Sequence, residues 1–68
     1  MKLTIYWTKE AMHKPSDGSP RMYDRIVKRF GFSDYISINS ETPVDVKESD
    51  LPDLKVAEAR GYIQIRNK

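Results

Sequence analysis

The sequence predicts an α+β fold, with one four-stranded sheet and two helices on one of its faces. Three observations predict it. Short segments near both ends and in the middle alternate apolar and polar residues with a period of two, the mark of half-buried strands. Two other segments carry apolar residues at helical spacing between start and stop signals. The length of 68 residues suffices for one small core, so residues 1–68 are read as a single domain.

The first strand is KLTIYWT, residues 2–8, with Leu3, Ile5 and Trp7 on one side and Lys2, Thr4, Tyr6 and Thr8 on the other. Residues 9–18 are polar and lack periodicity, so a loop is expected. The first helix is expected over 19–30. Ser19 would cap it, Pro20 sits where a missing N–H costs nothing, and Gly31 can take the left-handed conformation that ends it. Met22, Tyr23, Ile26, Val27 and Phe30 form its stripe, while Lys28 and Arg29 suit the negative end of its dipole. YISIN, residues 35–39, alternates again, with Ile36 and Ile38 inward. NSETP reads as a turn, and Val44 and Val46 mark a short strand. A second helix runs from about Leu51 to Arg60, capped by Ser49 or Asp50, with Pro52 in its first turn and Gly61 at its end. YIQIR closes the chain with Ile63 and Ile65 inward.

The order is βαββαβ, the ferredoxin-like arrangement. Without the Val44–Val46 strand, the alternative is βαβαβ with a more parallel sheet. The predicted core is Leu3, Ile5, Trp7, Ile26, Phe30, Ile36, Ile38, Leu54, Ile63 and Ile65.

Composition excludes several chemistries. There is no cysteine, hence no disulfide, thiolate metal site or thiol redox couple. No segment resembles a signal peptide or a spanning helix, so a cytoplasmic protein without membrane attachment is expected. The net charge of +2 is too small to demand a nucleic-acid partner. Residues 1–34 hold seven Lys/Arg against four Asp/Glu, and residues 35–68 hold five against six; this mild polarity can steer a partner. So short a chain gains from extra burial, which leaves room for a homodimer.

KLTIYWT, a loop, a helix and YISIN together resemble the first half of a glutaredoxin-like fold, which is the truncated form of the βαβαβ alternative. That family places a cysteine motif after its first strand. Here Lys9 to Lys14 read KEAMHK, so the resemblance implies a fold and no redox activity. Nor is there a phosphate-binding GxxxxGK[ST]. The same junction offers a helix start beside Lys9, Lys14, Ser19 and Arg21, a candidate anion site through free N–H groups and the dipole. The bland reading is a capped helix with solvated lysines.

His13 is the only histidine. A general base needs a nucleophile and an orienting group, and Asp17 nearby does not supply both. A zinc site needs more donors. No metal, cofactor or catalytic residue is therefore assigned, and an enzyme of undefined type ranks third among the functional readings. Glu41, Asp45, Glu48, Asp50, Asp53 and Glu58 form an acidic stretch without the glycine turn of a calcium loop. Capping and solubility account for several of them.

The outward face of the sheet is the preferred candidate surface. Alternation puts Tyr6, Tyr35 and Tyr62 there, with Lys2, Gln64 and Arg66 beside them. Tyrosine with arginine is the composition of protein-interface hot spots. RNA-recognition modules of this topology stack bases on aromatics of the same face, and the chain is similar to them in topology and in the first-strand aromatic. Their third strand carries a glycine- and aromatic-rich motif, where this chain reads PVDVKES.

The start MKLTIYWTKEA and the ending GYIQIRNK resemble short orphan proteins encoded by phages and prophages of Gram-positive bacteria. That resemblance implies a modulator of a host or phage protein rather than an enzyme. The expectation is a small non-enzymatic interaction protein whose partner is a protein. The alternative is a single-stranded nucleic-acid-binding module.

Overall fold

Strand β1, Lys2–Trp7, is the centre of the sheet, because both other strands pair with it. The computed structural model of the chain describes residues 1–33 and 35–66; Asn67 and Lys68, at the end of the GYIQIRNK segment, lie outside them. After β1 come α1 (Lys9–Met12), α2 (Met22–Phe30), β2 (Glu41–Asp45), a 3₁₀ turn at Glu48–Asp50, α3 (Leu51–Ala59) and β3 (Ile63–Arg66). The sheet has three strands in the order β2-β1-β3, and both pairs are antiparallel.

The expected four-stranded ferredoxin-like sheet is thereby corrected, and so is the glutaredoxin-like alternative, which needs parallel pairing. The missing strand is YISIN. Its five residues alternate, but serine turn chemistry wins locally. The Ser37 hydroxyl accepts the N–H groups of Asn39 and Glu41, both at 3.3 Å, and Ser40 N–H closes on the Ser37 carbonyl at 3.0 Å. These bonds satisfy the backbone without a ladder. Ser40 adopts φ +61°, and Ile38, expected in the core, stands fully exposed at the turn.

The pairing that forms instead is β1 with β2, in the register Leu3–Val44 and Ile5–Thr42. Bonds from Val46 N–H to Met1 C=O (2.8 Å) and from Trp7 N–H to Ser40 C=O (2.9 Å) flank it. They set the phase so that Pro43 faces outward from the ladder, where its missing N–H breaks nothing. This is why a proline lies within a strand that begins inside the expected turn.

One side of the sheet is dry. Leu3, Ile5, Trp7, Val44, Val46 and Ile63 join Ala11, Tyr23, Ile26 and Leu54 from the helices in a single core. Phe30, Ile36 and Ile65 are only partly buried against it. Trp7 and Tyr23 meet edge to face, with ring centroids 4.7 Å apart, a favoured quadrupole geometry. The Trp7 indole N–H donates to Thr42 Oγ1 at 2.8 Å, and that hydroxyl donates to the Tyr35 carbonyl at 2.7 Å. A buried polar relay thus ties Tyr35 to the core.

α3 starts at Leu51 as expected, but α1 stands where a loop was expected and α2 begins later than its sequence signal. Thr8 caps α1, accepting Ala11 N–H at 3.4 Å while its hydroxyl donates to the Gly61 carbonyl at 2.6 Å. Residues 9–12 of the expected loop therefore form a helical turn, with Ala11 fully buried. The N-cap of α2 is Arg21 rather than Ser19, whose N–H instead bonds Asp17 Oδ1 at 2.9 Å. Gly31 at φ +69° ends α2 as expected.

Candidate functional site

The open sheet face is built by the residues that alternate away from the core. Tyr6 lies at its centre, with Glu41 opposite on β2 and Gln64 opposite on β3. Lys2, Thr4, Pro43 and Asp45 continue the face toward the other end of β1, where they line a shallow depression. Arg66 belongs to β3 but does not stay over it. Its guanidinium carbon stands 4.4 Å from the Tyr6 ring centroid, and Nη1 reaches Glu41 Oε2 at 2.9 Å.

One arginine therefore spans all three strands, stacked on the central tyrosine and held by a carboxylate on the far edge. The Glu41 side chain is only 13% exposed, so this pair is better shielded from solvent than the Met1–Asp45 pair at the other end of β2. Such a stacked, paired arginine loses less entropy on meeting a partner than a free one.

The three tyrosines do not share this face. Tyr6 is on it. Tyr35 lies in the loop beyond α2, exposed, with its carbonyl drawn to the helix side of β2 by Thr42. Tyr62 precedes β3, is half buried against the core, and lines a groove with Met22 and Ile26 of α2. Lys2, Gln64 and Arg66 lie where alternation puts them. The residue that sequence reasoning missed is Glu41. Its signal was present, since Glu41, Pro43 and Asp45 alternate with Thr42, Val44 and Val46, but reading NSETP as a turn left Glu41 outside the short strand marked by Val44 and Val46.

The candidate anion site is partly assembled. Lys14, Ser19 and Arg21 border one cleft, together with Met12 and Asp24; Lys9 is on α1 and is not among its lining residues. Asp24 takes the place an anion would occupy. Its carboxylate accepts Arg21 N–H at 3.1 Å and binds the Arg21 guanidinium at 3.1 and 3.2 Å. The guanidinium first, and the backbone N–H after it, hold the Asp24 carboxyl below its ordinary value, and the same pair raises Arg21. The helix start is neutralised by its own third residue. Asp17, in the preceding loop, is lowered by bonds from Ser19.

His13 follows α1, is exposed, and makes no hydrogen bond or ion pair among the described residues. Among those residues there is no group of three or more His, Asp or Glu side chains able to hold a metal, and no helix is long and apolar enough to cross a membrane.

Both sheet edges are blunted. On β2, Ser37 N–H bonds the Glu41 carbonyl at 2.8 Å, and Pro43 offers no donor. On β3, the Glu58 carboxylate from α3 accepts Ile65 N–H at 2.8 Å. These devices oppose edge-to-edge pairing and leave faces, not edges, as surfaces for contact.

The fold and this site define a small three-stranded α+β domain with one helix-covered and one open face. No known protein family, curated protein or solved structure matches the chain.

Proposed function

We propose that the protein is a small non-enzymatic interaction protein that binds a partner protein through its open sheet face. The observation that carries this reading is the Tyr6–Arg66–Glu41 arrangement, a tyrosine and an arginine held in one geometry at the middle of a solvated face. Tyrosine and arginine are the residue types that dominate interface energetics, and preorganisation lowers the entropy cost of using them. Arg66 covers the ring a base would stack on, while Glu41 and Asp45 repel phosphates, which favours protein over single-stranded nucleic acid. On the resemblance of the chain ends to phage proteins, the partner is placed among host or phage proteins in the host cytoplasm.

The test is affinity capture with quantitative mass spectrometry, comparing wild type with Tyr6→Ala/Arg66→Ala and with His13→Ala, each first shown to be folded. A protein lost by the double variant and kept by His13→Ala supports the reading; for a central residue the loss should reach about 2 kcal/mol. Capture that nuclease abolishes, or that the double variant retains, refutes it.

A further inference from the structure

Residues 37–41 break two local rules at once. Ser37 N–H bonds the Glu41 carbonyl at 2.8 Å, and Ser40 N–H bonds the Ser37 carbonyl at 3.0 Å. Together these bonds close a hairpin loop of three residues, Ile38, Asn39 and Ser40. Such tips favour glycine, asparagine, aspartate and serine, yet Ile38 stands here and is fully exposed. No other large apolar side chain among the described residues is as exposed, and isoleucine is among the residue types most often buried. Ser40 holds φ +61°, the only positive φ of a non-glycine residue among those described. Ile38 adds no packing to the core, and local rules broken without gain to the fold mark a segment held for use.

The tip is also fixed in place. The Ser37 hydroxyl accepts the N–H groups of Asn39 and Glu41, both at 3.3 Å, and the buried Thr42 hydroxyl holds the Tyr35 carbonyl at 2.7 Å. The loop leads directly into Glu41, so Ile38 lies at the corner of the open sheet face where Glu41 holds Arg66 over Tyr6. Ser37, Asn39 and Ser40 are uncharged, and Glu41, the nearest charge in sequence, is already paired. We infer that Ile38 is the apolar anchor of the partner contact. The partner protein offers it an apolar pocket with an uncharged rim, beside the surface that meets Tyr6 and Arg66. The inference rests on the open face being the site of contact and names what the partner must present there. A wholly exposed isoleucine gains most from a pocket that desolvates it, and a fixed tip loses little entropy on entering one. An anionic lipid surface would call for cations beside the anchor, and the tip has none.

The test replaces Ile38 in the full chain by a photocrosslinking benzophenone side chain. The proteins it attaches to in cell lysate, and the residues attached, are read by mass spectrometry. The attached protein is then purified and titrated with wild type, Ile38→Leu, Ile38→Asp and Tyr6→Ala/Arg66→Ala, each first shown folded by its amide spectrum. Attachment within an apolar pocket of one protein is expected, with Ile38→Leu binding close to wild type and Ile38→Asp at least about thirtyfold weaker. Normal binding by Ile38→Asp, with loss in the Tyr6→Ala/Arg66→Ala chain, would overturn this inference and leave the open face standing. The reverse pattern would overturn the open face alone and support the tip. No attachment, or attachment scattered over charged surfaces, would overturn the inference. Attachment to a second copy of this chain would overturn it in favour of self-association. Binding of wild type, but not of Ile38→Asp, to phosphatidylserine–phosphatidylcholine vesicles would overturn it in favour of a lipid surface.

Discussion

Arg66 and Glu41 are 25 residues apart in sequence and lie on opposite edges of the sheet, yet their side chains meet at 2.9 Å over the ring of Tyr6. The contact exists because β1 lies between their strands and presents a flat aromatic at the crossing point. Arg66→Ala removes both the ion pair and the stacking. Because Arg66 is half exposed, the loss should be modest, about 1 kcal/mol by urea denaturation. Lysine cannot stack and fork in the same way, so Arg66→Lys should recover less than half. Full recovery by lysine would reduce the clamp to simple charge attraction.

Thr42 is the polar hinge of the core. Thr42→Val keeps the shape but leaves the Trp7 indole N–H and the Tyr35 carbonyl without their partner, at a cost of about 1–3 kcal/mol. Thr42→Ser retains the hydroxyl and should cost clearly less than the valine change. The indole N–H resonance and tryptophan fluorescence report the broken bond directly. A neutral Thr42→Val would mean that the relay contributes nothing.

Ile38 separates the observed fold from the four-stranded alternative, and Leu54, a core residue in both, is its reference. Leu54 is fully buried and Ile38 fully exposed. Leu54→Ala should cost about 2–5 kcal/mol, close to the whole stability of so small a domain. Ile38→Ser should stay within about 0.5 kcal/mol of wild type. A large loss from Ile38→Ser would restore YISIN as a buried strand.

Asp24 makes stability depend on pH on the acid side. Its carboxyl is depressed in the folded chain, so the native state binds that proton less readily than the unfolded state. The contribution is complete above the unfolded value of about 3.9 and is lost as pH falls through the lower folded value. Arg21 is raised, and its charge is complete at any pH below its unfolded value. Asp24→Asn should therefore lower stability at pH 7 while flattening the decline between about pH 5 and 2. An unchanged acid limb would assign the decline to other carboxylates, Asp17 first.

The edges of β2 and β3 account for a property that composition alone left open. With Pro43 lacking a donor and Glu58 occupying Ile65 N–H, strand addition at either edge is disfavoured. Pro43→Val and Glu58→Ala together should raise the tendency to associate, measured by sedimentation at rising concentration. A double variant as monodisperse as wild type would show that the edges need no such protection.

The sequence by itself determined the residues whose environment is local. β1, the body of both long helices, their glycine ends and β3 follow from alternation and caps, because each is specified within a few residues of itself. Tertiary structure decided which strands exist and what they touch. YISIN and ETPVD both have five residues and mixed signals. Ser37 bonds that fold the chain back remove the first from the sheet. Pairing with β1 carries the strand expected at Val44 and Val46 back to Glu41, hiding Thr42 and turning Pro43 outward. The same reason separates the three tyrosines. Alternation defines a face only within a strand that pairs, so Tyr6 kept its predicted side while Tyr35, in a loop, and Tyr62, drawn toward α2, did not. The Arg66–Glu41 contact lay furthest from the sequence, since its two residues become neighbours only after β2 and β3 have taken opposite sides of β1.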